Sequence, residues 1–203
     1  ITMGAFYKYF KNPIEQIFSE GSGGASTFSY QNPQSATAFG AEVEFRKKLD
    51  FYSPLNHFTL MANASYVFSK VKDDALRIDR PLQGQSPYLI NLGLMYDLEE
   101  KGLNATLLFN QVGERIYLVG DLTAGAGSPD IYEAPRPVLD FQIGKKFLSN
   151  KTELRLSVSD ILNQTQYFYQ NASSSMGFNK KEDALRFTRN YGTSFSLSFS
   201  YSL

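Results

Sequence analysis

The 203-residue chain has no cysteine and no tryptophan, and its only histidine is His57. Without cysteine there is no disulfide framework, no thiolate metal site and no cysteine nucleophile. A Ser/His/Asp triad or a multi-histidine metal site would have to use His57, which lies where a short turn is expected to meet a strand. We therefore predict no catalytic residue, no metal ligand and no cofactor, and interpret His57 as a polar residue at a strand end.

An excess of charge of one sign is also missing, as are long apolar runs. Lysine plus arginine equals aspartate plus glutamate at 20 each, so we expect no nucleic-acid partner. No apolar run reaches the roughly 18 residues of a transmembrane helix, and no charged segment followed by an apolar one opens the chain. Ile1 instead starts inside a strand-like segment. We therefore expect the chain to be part of a longer protein.

Alternation of apolar and polar residues with a period of two is the dominant pattern. It is clearest in the last segment, where large apolar residues from Phe195 to Leu203 alternate with serines from Ser194 to Ser202. Only β-strands have this period. The pattern predicts no helix and eight strands, at residues 1–10, 39–46, 58–69, 88–97, 103–119, 139–144, 154–159 and 194–203.

Short and long connections alternate between these strands. The short ones lie at 49–56, 99–102 and 148–151, and the long polar ones lie at 11–35, 72–86, 120–136 and 171–191. Outer-membrane barrels are organised in this way, with short periplasmic turns and long extracellular loops. We therefore predict an all-β fold, an antiparallel meander transmembrane β-barrel, whose last strand runs towards the periplasm.

A soluble antiparallel sandwich or lipocalin-like barrel would also alternate, but two features favour the membrane. The apolar faces extend over about 9–11 residues, the length that crosses a bilayer, whereas soluble strands have about 5–6. The opposite faces are small and polar, which suits a hydrated lumen or a plug. Aromatic residues near strand ends predict girdles at the membrane interfaces: Tyr7, Tyr9, Phe51, Tyr52, Tyr66, Tyr88, Tyr96, Tyr167 and Tyr169.

Several short motifs support this interpretation. VSDILNQ at 158–164, followed by Tyr167, Phe168 and Tyr169, is accompanied upstream by FYK at 6–8, NPIE at 12–15, YQNP at 30–33, GAEVE at 40–44, RPLQGQSP at 80–87 and NQVGER at 110–115. In this order and spacing they resemble TonB-dependent outer-membrane receptors, especially those of Bacteroidetes. The resemblance implies the last eight strands of a barrel of about 22. The plug domain and the TonB box would lie in an N-terminal part absent from this chain.

The resemblance also implies a location, an activity and partners. The protein would be a multi-pass β-barrel of the cell outer membrane that is not an enzyme and imports a scarce nutrient: a siderophore, cobalamin, a glycan or a peptide. Its partners would be outer-membrane lipids, the TonB complex through the missing plug domain, and the barrel assembly machinery. The signal for that machinery is implied at Phe195, Phe199, Tyr201 and Leu203. A surface lipoprotein as a further partner is left open.

Two other functions are weighed against import. The main alternative is a self-contained eight-stranded outer-membrane barrel with a structural or adhesive role. An outer-membrane enzyme is the weakest hypothesis, because the sequence contains no catalytic constellation.

Aromatic and charged residues on long connections are typical of recognition surfaces. We predict these as candidate ligand-facing residues, with a solvated cap over the barrel mouth as the alternative: Arg115, Tyr117, Asp121, Tyr132, Arg136, Phe178, Lys180 and Arg189. Four charges on strands are predicted to face the lumen as a wall network that holds a plug: Glu42, Glu44, Arg46 and Arg155. An acid and base role for Glu42 and Glu44 is the less favoured interpretation.

Overall fold

The computed structural model describes residues 1–21, 24–74, 78–121, 128–149, 151–172 and 177–202, with only the backbone of Ile78 and Asp79. Within them, the only helical segments are two 3₁₀ turns, Ser53–Leu55 and Glu99–Lys101, and no helix is long and apolar enough to cross a membrane, which has no bearing on crossing by strands. The strands are β1 Thr2–Lys11, β2 Glu15–Glu20, β3 Ser26–Gln31, β4 Ser35–Lys48, β5 Phe58–Asp73, β6 Ile78–Arg80, β7 Tyr88–Leu98, β8 Leu103–Val112, β9 Arg115–Gly120, β10 Ile131–Glu133, β11 Arg136–Phe147, β12 Thr152–Ser159, β13 Gln166–Gln170, β14 Ala184–Arg189 and β15 Ser194–Tyr201.

The larger of two sheets, here called the wall sheet, has the order β1-β4-β5-β7-β8-β11-β12-β15, with β6 beside β5. Every neighbouring pair is antiparallel. The predicted all-β antiparallel meander is thus confirmed, and its eight long strands follow the predicted order. One prediction was wrong: residues 103–119 are not a single strand, because β8 ends at Val112 and β9 joins the other sheet. Gly113 and Glu114 separate them.

The register of the wall sheet places most of the large apolar side chains of its eight long strands on one face. Leu107 of β8 is opposite Leu94 of β7 and Phe141 of β11, and Leu156 of β12 is opposite Leu197 of β15. Many of these side chains are exposed, and Leu197 is 70% exposed. An apolar surface that extends across eight strands requires apolar surroundings. We call it the apolar face.

The opposite, polar face carries small and amide side chains. Asn110 donates to Asn91 at 2.5 Å, and Asn91 donates to Asn63 at 3.3 Å, which forms an amide ladder across three neighbouring strands. The serines of β15 lie on this face. This face is therefore suited to water or to a polar partner.

Aromatic residues mark both ends of the apolar face. At the upper end, where the long connections lie, Tyr66 is opposite Tyr88, and Phe39 packs on Phe68 with ring centroids 5.2 Å apart. At the lower end, beside the short turns, Phe58 packs on Tyr96 at 4.9 Å. Ten residues of strand cover about 33 Å, or about 25 Å of height at the usual tilt, which matches the apolar band of a membrane barrel.

Two of the predicted interface residues lie elsewhere. Tyr167 and Tyr169 belong to β13 of the second sheet, and Tyr169 is fully buried. β13 lies between β10 and β14, away from the apolar face of the wall sheet. The prediction that they join a girdle was therefore wrong.

The second sheet, here called the cap sheet, has the order β14-β13-β10-β9-β2-β3 and is built from the long connections. Its one parallel pair joins β2 to β9. Phe18, Leu118, Ile131 and Phe168 form its buried core. Parts of the connections predicted as polar loops are thus strands, because they bury apolar side chains against one another.

Candidate functional site

A buried ion cluster joins the cap sheet to the last residue of β6, Arg80. Glu15 of β2 has a fully buried side chain, and its two carboxylate oxygens accept hydrogen bonds from Arg80 at 2.9 and 2.6 Å. Asp130 lies 3.9 Å from the Arg80 guanidinium. Burial raises the pKa of Asp130, although the Gly120 N–H and the Arg80 charge oppose the shift. The carboxylate and the guanidinium thus satisfy each other's hydrogen-bonding groups at a buried position.

Gln83 adds a second tie between the same parts. Its amide nitrogen donates to the carbonyls of Gln16 and Tyr117, each at 3.0 Å, and its oxygen accepts the Gln16 N–H at 2.7 Å. Because Gln16 lies on β2 and Tyr117 on β9, this side chain bridges the parallel pair. Gly120 is the last residue of β9, and its N–H donates to the Asp130 carboxylate at 2.8 Å. A Cβ at Gly120 would lie 1.5 Å from the Ser128 carbonyl oxygen, so only glycine fits there.

A cleft of about 540 Å³ opens between β5 of the wall sheet and the cap sheet. Arg115 lines it and is held by Glu133 at 2.8 Å. Tyr132, also predicted as ligand-facing, lines the same cleft. The structure therefore brings these two residues together. The other lining residues come from β5, the segment after β6 and the cap sheet: Tyr66, Val67, Phe68, Ser69, Pro81, Gln85, Pro87, Glu114, Ile116 and Asn171.

Glu114 connects this cleft to the buried part of β13. Its carboxylate accepts one hydrogen bond from the Tyr169 hydroxyl and another from the Gly177 N–H, the latter at 2.6 Å. Burial, and then the hydrogen bond to Glu114, raise the pKa of Tyr169 far above its usual range. Tyr169 is therefore a permanent donor to Glu114.

Two more predicted residues, Phe178 and Lys180, line a second cleft of about 740 Å³. Phe178 stacks on Tyr167 with ring centroids 5.1 Å apart and planes 16° from parallel. The cleft thus combines a stacked aromatic wall with a lysine.

Tyr117 and Arg189 form a separate cluster over the cap-sheet core. The Arg189 guanidinium lies 4.8 Å from the Phe168 ring centre and donates to the Tyr117 hydroxyl at 2.8 Å. Arg136 is instead paired with Asp160 at 2.7 Å. The backbone N–H of Asp121 donates to the carbonyl of Phe18 on β2 at 2.9 Å. The eight predicted residues therefore do not form one site.

One family model extends over almost the whole chain. Described as the outer membrane protein beta-barrel family, it matches residues 1–201. The chain belongs to this outer-membrane β-barrel family. As a family member it is a multi-pass β-barrel protein of the outer membrane. Its apolar face is the lipid-facing side of the barrel, and its polar face is the lumenal side.

Two crystal structures of mutant forms of the ferric enterobactin receptor PfeA from Pseudomonas aeruginosa are similar to this outer-membrane barrel chain. One has 15% identity and a TM-score of 0.60, covering 99% of this chain and 28% of that one. The other has 17% identity and a TM-score of 0.60, covering 98% and 28%. The similarity at this identity concerns the fold alone, and the chain spans 28% of the length of each receptor. No curated protein matches the chain.

The predicted wall charges lie on the polar face of this outer-membrane barrel wall. Glu42, Glu44 and Arg46 are on β4 and Arg155 is on β12, with four strands between them in the sheet. Arg155 pairs with Glu153, its neighbour on the same strand, at 2.6 Å. The network that would hold a plug stays a prediction.

The remaining predicted residues lie on the last strand and beside a short turn of the outer-membrane barrel, as far as the structure describes them. Phe195, Phe199 and Tyr201 are exposed on the apolar face of β15, and Leu203 lies outside the described residues. His57 lies at a strand end, with its Nδ1 3.2 Å from the Asp97 carbonyl oxygen. Within the described ranges, no group of three or more histidine, aspartate or glutamate side chains is placed to hold a metal.

Sequence reasoning missed the ion cluster, although two of its three charged residues, Glu15 and Arg80, lie within motifs quoted for the resemblance. Glu15 ends the NPIE motif, and Arg80 and Gln83 belong to the RPLQGQSP motif. A charged residue next to proline in a long connection was the only available signal. Nothing in the spacing showed that these motifs meet.

Proposed function

We propose that the chain forms the C-terminal wall and part of the mouth of a TonB-dependent outer-membrane receptor of the Bacteroidetes type, which imports a scarce nutrient. The observation that carries the proposal is an open wall sheet with a cap sheet built on its upper end. The folds of the two similar receptor structures support it.

The open sheet favours a larger barrel over a self-contained one. β1 and β15 lie at its two edges, and no pairing joins them among the described residues. Unpaired backbone groups at a sheet edge cost several kcal/mol each in a bilayer, so a membrane barrel must close. The small side chains on the polar face would also leave a lumen unfilled. Further strands that complete the barrel, and a plug that occupies it, satisfy both requirements.

The nutrient would contact the mouth at the two clefts, through Arg115 and Tyr132 in one and Phe178 and Lys180 in the other. Aromatic, cationic and amide groups are suited to an iron siderophore, cobalamin, a glycan or a peptide. The similar receptors are named for ferric enterobactin. The proposal extends to import and leaves the nutrient class open.

Capture by TonB tests this function. The native full-length protein is extracted from outer membranes in mild detergent and passed over the immobilised periplasmic domain of TonB from the same cells. We expect retention well above that of a porin from the same extract. Retention no higher than that of the porin would contradict TonB-dependent import.

A further inference from the structure

Three lysines continue the lipid-facing side of the wall above its upper aromatic residues. Lys11 follows Tyr7 and Tyr9 on β1 at a spacing of two, and Lys70 and Lys72 follow Tyr66 and Phe68 on β5 in the same way. Lys11 is opposite Ser35 of β4, which is opposite Lys72. We call Lys11, Lys70 and Lys72 the outer lysine patch.

On the polar face, the same three strands are covered by packed apolar side chains. Phe10, Ala36 and Val71 lie in one register row on the polar face and pack under Leu82, with Ala36 and Val71 buried. The three lysines are exposed, and the Lys72 side chain is 63% exposed. Their amines therefore remain on the lipid-facing side.

The height of the patch matches the headgroup layer. Lys70 lies two residues above Phe68 and Lys72 lies four above, or about 5 and 10 Å along a tilted strand. The headgroup layer occupies about 5–8 Å on each side of the hydrocarbon core. Lysine stems can extend along apolar surface and place the ammonium group within that layer.

The charge and width of the patch indicate what binds there. Asp74 contacts Lys72 at 3.4 Å, and such an exposed pair is weak. Lys11 and Lys72 are two strand spacings apart, or about 10 Å, which is wider than a single phosphate. The hydroxyls of Ser35 and Thr37 lie between them on the same face. We infer that the patch binds the headgroup of a phosphorylated glycolipid of the outer leaflet, one that carries more than one phosphate.

The lower end of the wall supplies a matched control. Lys47 of β4 lies on the same lipid-facing side, opposite Leu60, but at the level of the short turns. It faces the other leaflet. A site for an outer-leaflet lipid should not depend on this lysine.

Lipid retention by the full-length protein tests the inference. The protein is washed free of lipid in detergent and incubated with diphosphorylated lipid A, and occupancy is measured by native mass spectrometry. Each phosphate-facing lysine contributes roughly a factor of five, so Lys11→Gln, Lys70→Gln and Lys72→Gln together should weaken binding on the order of a hundredfold. Lys47→Gln should bind like the wild type, and dephosphorylated lipid A should bind weakly to all variants.

Three results would overturn the inference: unchanged binding by the triple variant, an equal loss in Lys47→Gln, or displacement of lipid A by equimolar phosphatidylglycerol. Heat-modified gel mobility shows whether each variant is folded. The triple arginine variant keeps the charge and should keep the binding. If the triple variant folds poorly, Lys72→Gln alone is compared with Lys47→Gln, and we expect it to bind lipid A severalfold more weakly than the wild type does.

Discussion

At the residue scale, the cap sheet depends on a few buried polar side chains that pair across long sequence distances. Glu15 and Arg80 are 65 residues apart in the chain, yet the arginine donates to both oxygens of the buried carboxylate. Removing one partner of such a pair leaves a buried charge without its counter-ion. The pair therefore ties β2 of the cap sheet to the end of β6.

Replacing Arg80 by methionine tests this role. We expect a loss of about 3–5 kcal/mol in the local stability of β2 and β9, because the Glu15 carboxylate would stay buried without a cation beside it. Arg186→Met is the matched control, because Arg186 pairs with Glu20, which lies on β2 like Glu15 but at an exposed position. This substitution should cost less than about 1 kcal/mol. Amide hydrogen exchange measures both. Equal protection in the two variants would contradict the assignment.

Asp130 makes the same region sensitive to pH. Burial raises its pKa, so the folded cap sheet binds this proton more tightly than the unfolded chain. The stability contribution of Asp130 therefore falls as the pH rises from its ordinary value of 3.8 through the raised value.

Asp130→Asn should remove that dependence, since an amide oxygen can still accept the Gly120 N–H. The measurement is the opening free energy of the Gly120 amide by hydrogen exchange across that pH interval. We expect a flatter profile in the variant. Identical slopes in the two proteins would show that Asp130 does not titrate as assigned.

At the scale of elements, the wall strands were predictable and the cap strands were not. A strand with lipid on one side and a polar lumen on the other alternates without interruption, as β15 does. The cap strands β2 and β13 have five or six residues and bury side chains on both sides, so apolar and polar residues do not alternate along them.

The candidate site was predictable only in part, for the same reason. Arg115 and Tyr132 share a cleft, as do Phe178 and Lys180, which follows from their place on long connections. The pairing of Glu15 with Arg80 and of Glu114 with Tyr169 depends on how strands of the cap sheet are ordered. Local sequence does not encode that order.

The two faces of β8 give a sharp test of the wall. Leu107 lies on the lipid-facing side and Leu108 on the lumenal side, and both are partly exposed at mid-strand. Leu107→Arg should cost about 2–4 kcal/mol of folding free energy in lipid vesicles, because the charge faces hydrocarbon. Leu108→Arg should cost much less. The folded fraction across a urea series, read by gel mobility, measures both. A larger cost at Leu108 would reverse the assignment of the two faces.

At the scale of the whole molecule, the wall sheet has the properties of one arc of a larger barrel. Its lipid-facing side is apolar, its lumenal side is largely polar, and its edges β1 and β15 are unpaired with each other in the described part of the chain. A closed eight-stranded barrel would fill its interior with its own side chains. The amide ladder and the serines of β15 are too small for that.

The intact mass of the native protein, extracted from outer membranes and measured by mass spectrometry, tests this account most directly. The account predicts a mass several times the 22.9 kDa of this chain, because further strands and a plug must complete the barrel. A mass near 22.9 kDa would contradict it and leave a self-contained eight-stranded barrel.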